Sequence, residues 1–251
     1  MTVYLIKFAY DGTKFDAFSM EKNRKTVEGE ILKVTRAFNI SDRIYISSRT
    51  DRNVSALGNV IGLISKDEIK KIAGILNSKL PFMLFYSYTV VDDRFKPRHA
   101  LERWYRYFLL DQNFNLDDMK KKAELFIGEH DFSLFSRKDD RNTLRKISNI
   151  EIEKDHDLIV IDIWGQSFLW NMVRRIVGFL AYGKGNPFTE GSKFNVPAEN
   201  LLLMDVSYGF EFNYLKTSKS FYEYYWTLRS LSFLYGEISK IAEGRWGIEP
   251  H

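Results

Sequence analysis

A chain that mixes strands with amphipathic helices is predicted by three features of the sequence. Apolar residues recur with period two in several short runs, the mark of half-buried strands. Other stretches repeat apolar residues at 3.6-residue spacing behind helix-capping residues. No strand ends in a Gly-rich phosphate loop of the kind that opens a nucleotide-binding βαβ unit.

The elements follow in order. Val3 to Tyr10 alternates as a strand and stops at the turn signal Asp11-Gly12-Thr13. Thr26 caps a predicted helix with Val27, Ile31, Val34 and Phe38 on its apolar face and Glu28 and Glu30 in its first turn. Arg43 to Arg49 reads as a strand, followed by a polar excursion and a second strand over Gly58 to Ile64. Ser65-Lys66-Asp67-Glu68 reads as a capping box for a helix carrying Ile69, Ile72, Ile75 and Leu76. Pro81 closes that region, and Phe82 to Val91 is aromatic-rich and β-prone. In the next strand, alternation sends Arg103, Tyr105 and Tyr107 to one face and Trp104, Arg106 and Phe108 to the other. Asn115 caps a helix over Leu116 to Ile127, with Gly128 as its stop. Ile147 to Ile152 and Leu158 to Trp164 form a hairpin around Asp155-His156-Asp157. Leu169, Met172, Val173, Ile176 and Leu180 share one face of a packed helix, and a long helical pattern runs over 218–243.

Composition narrows the chemistry. The 251 residues suffice for one large or two small domains, and a 45% hydrophobic content suits a soluble globular protein. No apolar run approaches a membrane span, and the first residues read as a strand and not as a signal peptide, so no membrane partner and a cytoplasmic location are expected. The sequence has no Cys, which excludes disulfides, thiolate nucleophiles, iron–sulfur clusters and Cys-containing zinc sites. Net charge is only +4, but basic residues cluster at Arg94, Lys96, Arg98, Arg103 and Arg106, and again at Arg137, Lys138, Arg141, Arg145 and Lys146. Aromatic residues interleave with the first cluster. That mixture suits RNA, whose phosphates need positive charge and whose unstacked bases need a flat partner; it also suits an ordinary strand with one solvated face.

The stretch with the most chemistry is Ser47-Ser48-Arg49-Thr50-Asp51-Arg52-Asn53-Val54-Ser55-Ala56-Leu57-Gly58-Asn59-Val60. Asp51 lies between two arginines at a strand-to-loop corner. Flanking positive charge is expected to lower its pKa and keep it ionised, as a nucleophile or base requires. In an extended segment Arg49 and Asp51 point the same way.

This string resembles the active-site motif of the TruA-type tRNA pseudouridine synthases, most closely their archaeal and eukaryotic branch. Ser48, Arg52-Asn53 and Ser55 stand where much of that family has Gly, Ala-Gly and His. Further segments resemble the family in order: Tyr10-Asp11-Gly12-Thr13, Phe95 to Ala100, Arg103 to Tyr107, Gly128 to Phe132, Phe168 to Gly178 and Val196 to Tyr208. The resemblance implies an α+β fold: two domains of antiparallel sheet with helices packed on one side, meeting in a basic cleft. The boundary falls near residue 101, giving 1–101 with Asp51 and 102–251 with an extra C-terminal helix.

The activity implied is isomerisation of uridine to pseudouridine in tRNA, in the anticodon arm, with no cofactor and no metal. Asp51 is then the catalytic carboxylate, Arg174 its partner and Tyr105 the ring packed on the target base. Arg49, Arg52, Arg98 and Arg103 are expected to meet RNA. Periodicity alone puts both Arg174 and Arg175 on the rim of their helix; the motif selects Arg174. Many bacterial members are homodimers and some eukaryotic ones monomers, which leaves a homodimer open. Two rival readings are a non-catalytic RNA-binding paralogue and a metal-dependent phosphodiesterase using Asp51, Asp131 and Asp162.

Overall fold

The computed structural model describes residues 1–136, 142–215 and 219–246. Arg137, Lys138 and Arg141 of the second basic cluster, and the Ser218 start of the last helical pattern, lie outside them. In chain order the strands are β1 (Thr2–Tyr10), β2 (Ile44–Ile46), β3 (Ser55–Ser65), β4 (Met83–Val91), β5 (Glu102–Leu110), β6 (Gly128–Asp131), β7 (Leu144–Asp155), β8 (Leu158–Gly165), β9 (Leu201–Ser207) and β10 (Asn213–Tyr214). The helices are α1 (Val27–Ala37), α2 (Ile69–Lys79), α3 (Leu116–Glu124), α4 (Met172–Tyr182), α5 (Pro187–Glu190) and α6 (Lys219–Trp246).

All ten strands join one sheet in the order β10-β4-β1-β3-β9-β5-β8-β7-β6, with β2 on β3. Its pairings are antiparallel except β3 with β9, which run parallel over Ser55↔Leu202 and Ala56↔Leu203. That seam joins the strands of the first hundred residues to those that follow. It needs Gly58, where an added Cβ would lie 2.6 Å from the Met204 carbonyl oxygen. Helices α1 and α2 pack on each other and α2 on β4, while α3 packs on β7 and α4. Apolar stripes are buried as their spacing requires: Val27, Ile31 and Val34 on α1, Ile69, Ile72 and Leu76 on α2, and Met172, Val173, Ile176 and Leu180 on α4. The predicted caps form at Thr26, whose hydroxyl accepts from the Gly29 amide at 3.0 Å, and at Asn115, whose Oδ1 accepts from the Asp118 amide at 3.0 Å.

Several local expectations give way to tertiary contacts. Phe38 is 42% exposed and stands at the C-cap of α1 instead of in its buried stripe. The box at Ser65 does not form, because Ser65 ends β3 and its Oγ accepts from the Asp67 amide at 3.2 Å; α2 begins at Ile69 with no side-chain cap. Helix α3 stops at Glu124, short of Ile127. Its chain tightens into i→i−3 bonds at Leu125, Phe126 and Ile127, and this carries Phe126 into a cluster with Phe132, Phe135, Phe179 and Phe188. Gly128, with φ +108°, therefore opens β6. The predicted Arg43–Arg49 strand shrinks to Ile44–Ile46; Ser47 keeps one bond to β3, its amide donating to the Val60 carbonyl at 3.0 Å, while its own carbonyl accepts from a side chain of β5.

The turn after β1 presses on the loop between β2 and β3. An added Cβ on Gly12 would lie 2.1 Å from the Val54 carbonyl oxygen, a backbone atom that cannot step aside cheaply. Gly12→Ala is expected to destabilise the fold by about 3 kcal/mol through overpacking. Urea denaturation measures this, and an unchanged midpoint would mean that the two segments separate without cost.

Candidate active site

The β2–β3 loop is built to present one carboxylate. Asn53 takes a left-handed backbone conformation (φ +68°), and the Val54 amide donates to the Asp51 carbonyl at 3.2 Å, closing a tight turn around Asp51. Asn tolerates that conformation better than other non-glycine residues. Two supports hold the loop from behind. The Tyr10 hydroxyl is hydrogen-bonded to Thr50 Oγ1 at 2.8 Å, and Gly12 N–H donates to Ser55 Oγ at 3.0 Å, so Ser55 takes a structural role. Asn59, fully buried in β3, donates to the Ser48 carbonyl at 2.9 Å and accepts from the Val60 amide at 2.8 Å. A buried Asn inside an apolar strand was the sequence signal for this support, and sequence reasoning passed over it.

From the other side comes α4. Arg174 Nη1 stands 3.5 Å from Asp51 Oδ2, with the two side chains 15% and 21% exposed. Arg174 is aimed by two further bonds, from Nε to the Val196 carbonyl at 2.6 Å and from Nη1 to Asn171 Oδ1 at 3.3 Å. One turn further on, an added Cβ at Gly178 would lie 2.6 Å from the Phe194 carbonyl oxygen, so α4 and the 194–196 segment are in backbone contact where Arg174 is oriented. Arg175 turns away and donates to the Ser136 carbonyl at 2.9 Å. The helix geometry thus separates the two arginines that periodicity left equivalent.

Tyr105 on β5 is buried beneath the same cleft, edge-on to Phe168 with ring centroids 5.2 Å apart. Asp51, Arg174, Tyr105 and Phe168 line one cleft of about 940 Å³. Arg49 and Arg98 line it too and are exposed. Arg52 is exposed but is not among the cleft-lining residues.

Arg103 is also at the cleft, but buried, with its guanidinium committed inside the protein. Nε donates to Ser48 Oγ at 2.7 Å, Nη2 to the carbonyls of Ser47 (3.1 Å) and Arg98 (2.9 Å), and Nη1 to the carbonyl of Gln166. This side chain ties β5 to the start of the Asp51 loop at Ser47 and Ser48.

The electrostatics reverse one expectation. Asp51 is held above the ordinary carboxylate pKa: burial raises it, and Arg174 opposes that by charge and hydrogen bond without cancelling it. Arg49 and Arg52, near it in sequence, are exposed, where water screens their charge. Burial also pushes the Tyr105 phenol up to about 12, with Arg103 opposing and Asp51 adding. A carboxylate with a raised pKa is a stronger proton acceptor and nucleophile than a solvated one, provided a fixed cation keeps it ionised.

His130 and Asp131 do not bond each other. His130 Nε2 meets the Ile127 carbonyl at 3.0 Å and stacks on Phe188, while Asp131 Oδ1 accepts from the Ser133 amide at 2.9 Å. Asp162 pairs with Arg106 Nη2 at 2.8 Å. Among the described residues no three His, Asp or Glu side chains come together as a metal site would need, and no helix is long and apolar enough to cross a membrane.

An α+β protein with a sheltered carboxylate, a pairing arginine and a buried aromatic in a cleft rimmed by exposed arginines has the parts of an enzyme acting on a nucleic-acid base. The family model described as tRNA pseudouridine synthase matches residues 123–190. Over 219 residues the chain is 41% identical to tRNA pseudouridine synthase A of Pyrococcus furiosus, covering 81% of this chain and 82% of that one. Identity to the Picrophilus torridus protein of that name is 37%, with 81% of each chain covered, and to the Methanothermobacter thermautotrophicus one 33%, with 94% and 92% covered. Among solved structures, a Cbf5–Nop10–Gar1 complex matches 70% of this chain and 44% of that chain at a TM-score of 0.41 and 13% identity. The chain belongs to the tRNA pseudouridine synthase family.

Proposed function

We propose that this protein converts a uridine in the anticodon arm of tRNA to pseudouridine, with Asp51 as the catalytic carboxylate, Arg174 as its fixed counter-ion and Tyr105 as the surface on which the base rests. The observation that carries the reading is the sheltered Asp51–Arg174 pair, the two residues that the family motifs select independently from segments 123 positions apart in sequence, meeting at 3.5 Å. The reaction breaks the N1–C1′ bond of uridine, turns the base, forms C5–C1′ and moves the C5 proton to N1. It is an isomerisation, so no oxidant, reductant or group donor enters.

Asp51 serves this chemistry as the group that attacks or removes a proton, and Arg174 keeps it charged in a site whose burial favours the neutral acid. Residues 1–101 and 102–251 are the proposed units that flank the RNA. Arg103 acts as a positioning residue, since its donors are already bonded within the protein. Arg98 and Arg52, being exposed, are left to phosphate.

The test is incubation with tRNA labelled with tritium at uracil C5, which pseudouridine formation releases to water. Release is expected from wild type. Tight tRNA binding without release would instead support the non-catalytic paralogue.

Arg49 is proposed to prop the flipped state. A stacked uridine must leave its stem, at a cost of a few kcal/mol that falls for a mismatched base. An exposed guanidinium at the cleft can fill the vacated place and bond phosphate, which an ammonium imitates poorly. Arg49→Ala is expected to slow single-turnover conversion of a paired target about tenfold more than that of a mismatched one, and Arg49→Lys to rescue it little. Equal losses on both substrates would leave Arg49 as a plain phosphate contact.

A further inference from the structure

The last helix belongs to none of the motifs that mark the family, yet among its described side chains Tyr224 reaches the turn that supports the catalytic loop. The Tyr224 hydroxyl on α6 donates to Asp11 Oδ2 at 2.6 Å, and its ring meets Phe82 edge-on with centroids 5.8 Å apart. The other carboxylate oxygen, Asp11 Oδ1, accepts from the Thr13 amide (2.9 Å) and the Thr13 hydroxyl (2.6 Å). Asp11 is thus the knot that holds the turn after β1. That turn grips the Asp51 loop on both flanks, through Tyr10 to Thr50 on one and through Gly12 to Val54 and Ser55 on the other.

Packing does not replace this bond. A largely apolar cavity of about 360 Å³ separates α6 from the sheet, lined by Tyr224 and Leu228 on one side and by Leu57, Phe82, Met83 and Leu202 among those on the other. Where side chains do not meet, dispersion and apolar burial contribute little, so among the described contacts here the Tyr224–Asp11 bond is a direct tie between helix and turn. Further along, Phe233, Tyr235 and Ile238 are at least half exposed.

We propose that Tyr224 is a positioning residue for Asp51: by holding Asp11 it clamps the β1 turn against the catalytic loop, and docking of α6 thereby sets the carboxylate's geometry. The proposal rests on the assignment of Asp51 as the catalytic group. Tyr224→Phe keeps the ring against Phe82 and removes only the donor. Asp11→Asn retains an amide oxygen for Thr13 while weakening acceptance from Tyr224.

The test uses the full-length chain in single-turnover tritium release, equilibrium tRNA binding and amide hydrogen exchange of the peptide over 48–56. Tyr224→Phe is expected to lower the single-turnover rate about tenfold, the size of one charge-assisted hydrogen bond, with tRNA affinity unchanged. The Val54 amide, which donates to the Asp51 carbonyl, should exchange about tenfold faster. The Tyr224→Phe/Asp11→Asn double variant should be no slower than the slower single one, because both remove the same link. Additive losses, a loss of affinity alone, or wild-type rate and exchange in Tyr224→Phe would each overturn the proposal. If wild type releases no tritium, the isomerase reading fails, and exchange at Val54 still decides whether Tyr224 controls the loop.

Discussion

Asp51→Asn will lower turnover by a factor on the order of a thousand or more while leaving tRNA affinity nearly unchanged, because the amide keeps the size and hydrogen bonding of the carboxylate and loses its charge. The same variant is expected to melt at a higher temperature than wild type at pH 7. The folded protein holds the Asp51 pKa above its unfolded value, burial being the main cause. The folded state therefore takes up this proton more readily than the unfolded one. Its contribution to stability is fully present below the unfolded pKa and is lost as pH rises through the raised folded value. At neutral pH the ionised Asp51 is a burden on the fold, and an Asn never ionises. Arg174 stays anchored to Val196 and Asn171 in the variant. Thermal melts from pH 7 down to about pH 3 check this: the advantage of Asp51→Asn should shrink as wild-type Asp51 becomes neutral. Normal tritium release by the variant would falsify the assignment of Asp51. A lower melting temperature at pH 7 that did not respond to acid would contradict the raised pKa.

The second large effect separates the adjacent arginines of α4. Arg174→Ala is expected to cost about a hundredfold or more in single-turnover rate, since removing one member of a sheltered ion pair leaves the other charge uncompensated. It also removes the cation that opposes the effect of burial on Asp51. The Asp51 pKa must then rise further, and the acid limb of the pH–rate profile should move to higher pH. Arg175→Ala should leave the rate within about threefold of wild type and lower stability by about 1 kcal/mol, because its hydrogen bond goes to the Ser136 carbonyl and not to the cleft. A rate loss larger for Arg175 than for Arg174 would exchange their roles.

These two residues also mark how far the sequence could be read. The string from Ser47 to Val60 already named Asp51, and Met172-Val173-Arg174 named its partner by motif, although helical periodicity placed Arg175 on the same rim. The structure separates them through the contact of α4 with the 194–196 segment, which no local pattern records. Arg103 was legible as a basic residue on the Tyr105 face of β5, but whether its guanidinium serves RNA or the protein depended on Ser47, Ser48, Arg98 and Gln166 reaching it. The expected lowering of the Asp51 pKa by Arg49 and Arg52 failed for a related reason. Adjacent charges are read directly from sequence, whereas desolvation is set by everything folded around the group.

What the sequence determined by itself is therefore what short-range physics decides. The alternation of β5 sends Arg103, Tyr105 and Tyr107 to the buried face, the apolar stripe of α4 faces the core, Thr26 and Asn115 cap their helices, and a polar excursion between two strands displays Asp51. Each depends on residues a few positions apart, whose geometry the covalent chain imposes. The tertiary structure alone decided the parallel β3–β9 seam, the early end of α3, the hold of Tyr224 on Asp11 and the raised pKa of Asp51. Those are through-space terms between segments up to 213 positions apart, and their strength comes from burial and distance, which exist only once the chain has closed on itself.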